Sequence, residues 1–108
     1  MNTSKIVSGL IEAAKELGLG DSDINNSKEL LENREYGLAF DTIITQLYEY
    51  EIEIDSEFYA LIVKVAQTME ISEDGYSFMM ELIRAENVVP KPVKDRLVEL
   101  LATLEVNK

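Results

Sequence analysis

Oxygen-bearing side chains are spaced like metal ligands in residues 21–32, whose sequence is DSDINNSKELLE. The residues at the first, third, fifth and twelfth places of a calcium-binding loop are Asp21, Asp23, Asn25 and Glu32. Two other places argue against calcium, because Asn26 stands where the loop needs glycine and Lys28 stands where an apolar residue is usual. We therefore interpret the segment as a polar connector between helices, rich in capping residues, and expect no metal site.

Other chemistry is restricted by what the chain lacks. It contains no histidine and no cysteine, which excludes imidazole acid–base catalysis, thiol nucleophiles, disulfides and the usual zinc sites. Its 21 acidic residues always include pairs at glycosidase spacing by chance, so such a pair carries no specificity. No glycine-rich phosphate loop is present. We expect a protein that is not an enzyme and that binds no cofactor.

The elements that must position any site are helices. Apolar residues recur at helical spacing in the segments 4–18, 35–50, 56–69, 73–86 and 92–105. Gly18 is the expected end of the first helix, and Ser27 is a candidate cap for a short helical piece. With 108 residues, 46% of them hydrophobic, the chain predicts a single all-α domain, a compact bundle of five or six short helices. The N-terminal segment predicts neither a signal peptide nor a membrane span.

One stretch departs from helical spacing. In QLYEYEIEID, residues 46–55, apolar and acidic residues alternate, which is typical of a half-buried strand. No second alternating run exists to pair with it, and an isolated strand is not stable. We therefore expect an extended connector between two helices, with Ile52 and Ile54 directed into the core.

The same region concentrates negative charge. Seven acids and no base fall between Glu35 and Val63, in a chain with a formal net charge of −11. Such a chain repels phosphate backbones, so we expect no direct binding to nucleic acid and a basic protein as partner. The alternative is a solvated face without a partner. The candidate partner-binding residues are Glu35, Asp41, Tyr48, Glu49, Tyr50, Glu51, Glu53, Asp55 and Glu57.

Residues 31–62 resemble the MafI-like immunity proteins of bacterial polymorphic and contact-dependent toxin systems. The resemblance lies in the motif EYGLA at 35–39, QLYEY at 46–50, the acidic connector 51–55, and the aromatic pair Phe58 and Tyr59. It covers about a third of the chain. It implies a small cytoplasmic protein that binds and neutralises a cognate toxin, commonly a nuclease.

Two other functions stay open at this stage. The chain could be a helical regulatory or adaptor module for another basic protein, or, with less support, a calcium-binding protein that uses residues 21–32. A toxin gene immediately upstream would favour the immunity function, whereas an isolated gene would favour the adaptor. The sequence predicts no membrane partner and leaves the oligomeric state open.

Overall fold

The computed structural model describes residues 3–84, 86 and 88–106. Within them, the predicted all-α bundle is confirmed, and no strand is present beyond a single isolated bridge. The helices are α1 (Thr3–Glu16), α2 (Asp21–Glu32), α3 (Tyr36–Glu49), α4 (Ser56–Thr68) and α5 (Lys91–Val106), with two short 3₁₀ helices, Glu73–Gly75 and Ser77–Leu82, between α4 and α5. The α1 helix contacts each of the other four α-helices, and α5 packs on α1 and α4.

Helices α1 to α4 end in the same backbone motif. After α1, Gly18 adopts a φ of +104°, and the Leu19 N–H donates to the Ala14 carbonyl oxygen at 3.0 Å. This is a Schellman turn, which confirms Gly18 as the predicted end of α1. The residues at the corresponding positive-φ position after α2, α3 and α4 are Arg34, Glu51 and Glu70. These three residues adopt a left-handed backbone conformation that glycine usually occupies, which costs about 1–2 kcal/mol of conformational free energy each.

The prediction of a polar connector at residues 21–32 was wrong, because the whole segment forms helix α2; the short helical piece predicted from Ser27 is the second half of that helix. Ser27 does not cap it; its hydroxyl donates to the Asp23 carbonyl oxygen, 2.9 Å away, inside the helix. Ile24 and Ser27 are buried, and Leu30 packs against the core from the same face. Acidic Asp21 and Asp23 in the first turn suit the positive end of the helix dipole. Packing on α1 and α3 thus outweighs the weak helix propensity of the polar residues.

The alternating run is largely explained by the end of α3. Ile52 follows the Schellman turn and donates its N–H to the Leu47 carbonyl oxygen at 3.0 Å, so its half-buried side chain closes the helix end. Ile54 is fully buried. The expected connector is confirmed, with Ile54 in the core and Ile52 at its edge.

The α-helix predicted over 73–86 was wrong, because the chain forms the two 3₁₀ helices there. It then becomes extended at Ile83. Ile83 forms an isolated parallel bridge with Ile54: the Ile54 N–H donates to the Leu82 carbonyl oxygen, and the Arg84 N–H donates to that of Ile54, both at 3.0 Å. The connector therefore does find a backbone partner, although one too short to be a strand.

Candidate partner-binding surface

The C-terminal end of α3 and the start of the connector form an exposed acidic projection. Glu49, Glu51 and Glu53 are exposed, and the side chain of Tyr50 is 64% exposed. The chain turns at Glu51 in the Schellman motif, and the three exposed acidic residues fall within five consecutive positions of the sequence. We call residues 48–53 together with Glu81 the acidic tip.

Glu81 joins the tip through Tyr48. The Tyr48 hydroxyl donates to Glu81 Oε1 at 3.2 Å, and its ring packs edge-on against Phe78 with the centroids 5.2 Å apart. The hydrogen bond to Glu81 and the negative charge of that carboxylate raise the pKa of Tyr48 above its usual value, so the hydroxyl keeps its proton. Sequence reasoning missed Glu81, because nothing in its own segment indicates that the 3₁₀ helix packs beside α3.

Two predicted residues lie away from the tip. Glu35 immediately precedes α3, so it stands at the opposite end of that helix, about 21 Å from Glu49 at the usual rise per residue. It borders a shallow depression together with Arg34 and Glu70. Asp41 is exposed in the middle of α3, about 12 Å from Glu49 by the same rise. The expected acidic surface is therefore not one continuous patch.

Asp55 must be removed from the predicted surface, because only 1% of this residue is exposed. It is the N-cap of α4, where Oδ1 accepts from the Phe58 N–H at 2.9 Å. Its Oδ2 accepts from the Val89 N–H at 3.0 Å and from Lys94 Nζ at 3.2 Å. Burial alone would favour the neutral acid, but the hydrogen bonds from Val89, Phe58 and Lys94 outweigh it and hold the pKa of Asp55 below its usual value. Asp55 is a structural anion that joins α4 to the start of α5.

Lys94 is the buried cation of this pair. It is 6% exposed, and its Nζ also lies 3.5 Å from Oε1 of Glu57, whose side chain is 63% exposed. Burial would lower the pKa of Lys94, but the hydrogen bond and charge of Asp55, with a smaller contribution from Glu57, raise it above the usual value. Glu57 is therefore a surface residue beside a base, which sequence spacing alone does not reveal.

A second base lies close to the tip. Arg84 follows the bridge to Ile54, and its guanidinium group donates to the carbonyl oxygens of Glu81 and of Ile83, the latter at 3.1 Å. Among the residues that the structure describes, Arg84 forms no ion pair with a carboxylate. The acidic region is thus free of bases in sequence but not in space: Lys94 pairs with Asp55 and Glu57 of that region, and Arg84 donates to backbone carbonyl oxygens beside it.

No metal site is evident in the described part of the chain, where no group of three or more acidic side chains is placed to hold an ion. The conformation that a calcium loop requires is replaced by helix α2, whose backbone carbonyls are directed along the helix axis.

We accordingly expect millimolar Ca²⁺ to leave the melting temperature of the protein unchanged and to give no saturable heat in titration calorimetry. The matched variant is Glu32→Gln, which removes the twelfth-place carboxylate and should behave like the wild type. Micromolar affinity that Glu32→Gln abolishes would contradict this prediction.

None of the helices within residues 3–84, 86 and 88–106 is long and apolar enough to cross a membrane. Comparisons with protein-family models, with curated proteins and with solved structures find no match to this chain. The acidic tip and its chemistry are therefore the basis for any statement about function.

Proposed function

We propose that this protein is an immunity protein that binds a cognate bacterial toxin and blocks its basic active-site cleft with an acidic surface. The observation that carries the proposal is the acidic tip, where Glu49, Glu51 and Glu53 are exposed within five consecutive residues and Tyr48 hydrogen-bonds to Glu81. The resemblance of residues 31–62 to MafI-like immunity proteins supports the same function, because residues 48–53 of the tip lie inside that segment.

The charge of the tip suits a nuclease toxin. An enzyme that holds RNA or DNA needs a basic cleft for the phosphates, and a dense set of carboxylates is complementary to that cleft. Lys94 is buried against Asp55, whereas Arg84 keeps its positive charge while it donates to backbone carbonyl oxygens, so it offsets one of the tip's four carboxylates and leaves the tip negative. The net charge of −11 adds a long-range attraction that accelerates encounter with a basic protein.

Tyr48 and Tyr50 give the tip features of a contact surface beyond charge. Tyrosine is enriched among residues that dominate binding energy, because its ring is large and rigid and its hydroxyl is polar. Tyr48 is fixed by Glu81 and Phe78, whereas Tyr50 is largely exposed. A basic toxin side chain could lie across the Tyr50 ring in a cation–π contact while it pairs with a neighbouring carboxylate.

The test neutralises the tip without touching the buried Asp55. We expect the triple variant Glu49→Gln, Glu51→Gln and Glu53→Gln to associate about tenfold more slowly with the cognate toxin domain. Removal of steering charges acts chiefly on the association rate, so the salt dependence of kon should also become flatter. Stopped-flow binding at several salt concentrations measures both quantities.

The matched control removes the same charge from another face. Glu12, Glu16 and Glu29 are exposed on α1 and α2, and their joint conversion to Gln should slow association much less. Circular dichroism verifies that both triple variants are folded. If the tip variant keeps the wild-type rates and still protects cells, or if the control slows binding equally, the tip is only a solvated face and the proposal fails.

A further inference from the structure

Arg84 contacts two separate parts of the acidic region, one through its backbone and one through its side chain. Its N–H donates to the carbonyl oxygen of the buried Ile54 at 3.0 Å. Its guanidinium group donates to the carbonyl oxygens of Glu81 and Ile83, at the end of the second 3₁₀ helix. One residue therefore joins the connector that carries Glu53 to the short helix that carries Glu81.

The hydrogen bonds at the end of this 3₁₀ helix account for three consecutive carbonyl groups. The last carbonyls of a helix have no partner inside it, so each needs a donor from elsewhere. The Arg84 side chain donates to the carbonyls of Glu81 and Ile83. Between them, the Leu82 carbonyl oxygen accepts from the Ile54 N–H at 3.0 Å. The side chain of Arg84 thus holds the carbonyls on either side of the one that holds the connector.

The shape of the donor group at Arg84 matters more than its charge. Arg84 is the only base between Lys64 and Lys91, a stretch that contains five acids, yet its guanidinium group donates to backbone oxygens. The planar fork of a guanidinium group can reach two carbonyl oxygens at once, whereas the donors of a lysine ammonium group all radiate from one atom. A lysine at this position would therefore keep the charge and lose the two-carbonyl contact.

Glu81 is also tied to the end of α3. Its Oε1 accepts from the Tyr48 hydroxyl at 3.2 Å, and this hydrogen bond is the main cause of the raised pKa of Tyr48. The Glu81 carboxylate reaches Tyr48 only while the backbone of Glu81 stays in place, and Arg84 donates to that backbone. The pKa of Tyr48 therefore reports on the position of Glu81.

We propose that Arg84 is a positioning residue of the acidic tip. It fixes the end of the 3₁₀ helix against the connector, and this holds Glu53 and Glu81 in one arrangement at the end of α3. A preformed arrangement avoids the ordering cost that a mobile contact surface incurs on binding. The use of the tip as a contact surface rests on the proposed function, whereas the positioning is a property of the protein alone.

Hydrogen exchange of Arg84→Lys, followed by NMR of a ¹⁵N-labelled sample, tests the hold on the connector. The Ile54 amide should exchange about fivefold faster than in the wild type, because the equivalent of one hydrogen bond is lost locally. The amides of Leu10 and Ile43, in the core parts of α1 and α3, should keep their wild-type rates. Arg96→Lys is the matched control, because Arg96 is exposed on α5, and it should change none of the three rates.

Titration of the tyrosines in the same variant tests the hold on Glu81. Because Arg84→Lys keeps the charge, a displaced Glu81 should lower the pKa of Tyr48 toward its usual value. The pKa of Tyr59 is raised chiefly by burial and should stay unchanged. NMR of ¹³C-labelled tyrosine rings follows both residues.

Wild-type exchange at Ile54 or an unchanged pKa of Tyr48 in Arg84→Lys would overturn the inference. Equal acceleration at Ile54, Leu10 and Ile43 would also overturn it, because Arg84 would then stabilise the whole fold and not the tip. Both measurements use the protein without a partner, so they are independent of the test of the proposed function. Both effects in a protein that binds no toxin would support the positioning role and refute the immunity function. Neither effect in a protein that binds its toxin through the tip would do the reverse.

Discussion

Asp55→Ala should lower the free energy of unfolding by about 3 kcal/mol at neutral pH, as measured by urea denaturation. The substitution leaves Lys94 buried without its main counter-ion and removes the acceptor for the Phe58 and Val89 N–H groups. Breaking a buried ion pair from one side typically costs about 3–5 kcal/mol. The lower end applies here because Glu57 remains 3.5 Å from Lys94. Such a loss is a large share of a stability of about 5–15 kcal/mol.

The pH dependence of this loss has a definite sign. The pKa of Asp55 is lower in the folded protein than in the unfolded chain. Its ionised form therefore stabilises the fold fully at pH values above the pKa of the unfolded chain, and this stabilisation is lost as the pH falls through the pKa of the folded protein. The pKa of Lys94 is raised in the folded protein. Its charged form therefore stabilises the fold fully at pH values below the pKa of the unfolded chain, and this stabilisation is lost as the pH rises through the pKa of the folded protein. The difference between wild type and Asp55→Ala should therefore be constant from about pH 5 to pH 9 and shrink outside that window.

Two controls separate the roles of Asp55. Asp55→Ser keeps a hydroxyl acceptor for the Phe58 N–H and should recover about 1 kcal/mol of the loss, the usual contribution of an N-cap. Asp95→Ala breaks the exposed pair with Lys91 and should change stability little, because a solvated pair on one helix face contributes little. If Asp55→Ala and Asp95→Ala have equal effects, the buried pair has no special structural role.

The difference between an acid on a surface and an acid in the core explains the main error of sequence reasoning. Glu51, Glu53 and Asp55 alternate with isoleucines and have the same charge, so their pattern offers no distinction. Asp55 is buried because Lys94 and the Val89 N–H approach it from a segment more than 30 residues away. Its position just before α4 suits an N-cap, and the structure shows it in that role. The partners that neutralise it are set by the tertiary structure alone.

Sequence patterns predicted the helices correctly where interactions between residues close in sequence determine the structure. The apolar stripes of α1, α3, α4 and α5 and the stop at Gly18 follow from helical periodicity and from the positive φ that the turn requires. Sequence patterns did not predict the full length of α2, where the packing of Ile24 and Leu30 against the core stabilises a helix with a largely polar sequence. They failed again at 73–86, where the bridge from Ile83 to Ile54 draws the chain out of helical geometry. The acidic tip shows both cases, since Glu49 to Glu53 follow from the sequence and Glu81 does not.

Phe40→Ala should be among the most destabilising substitutions in the apolar core, with an expected loss of about 3–5 kcal/mol in the free energy of unfolding. Phe40 lies on α3 and is 1% exposed, so truncation removes a large buried ring and leaves a cavity among residues that cannot all close around it. Thermal and urea denaturation, followed by circular dichroism, measure the change.

The matched substitution is Leu38→Ala, two residues earlier on the same helix. Leu38 is 54% exposed, so its truncation exposes no new cavity and should change stability by no more than about 0.5 kcal/mol. The pair thus compares a buried and an exposed apolar side chain in one helix, where helix propensity alone would favour alanine at both positions. A loss below about 1 kcal/mol for Phe40→Ala would mean that α3 does not direct this face into the core. In that case the position of the acidic tip, which the same helix fixes through Glu49, would also have to be revised.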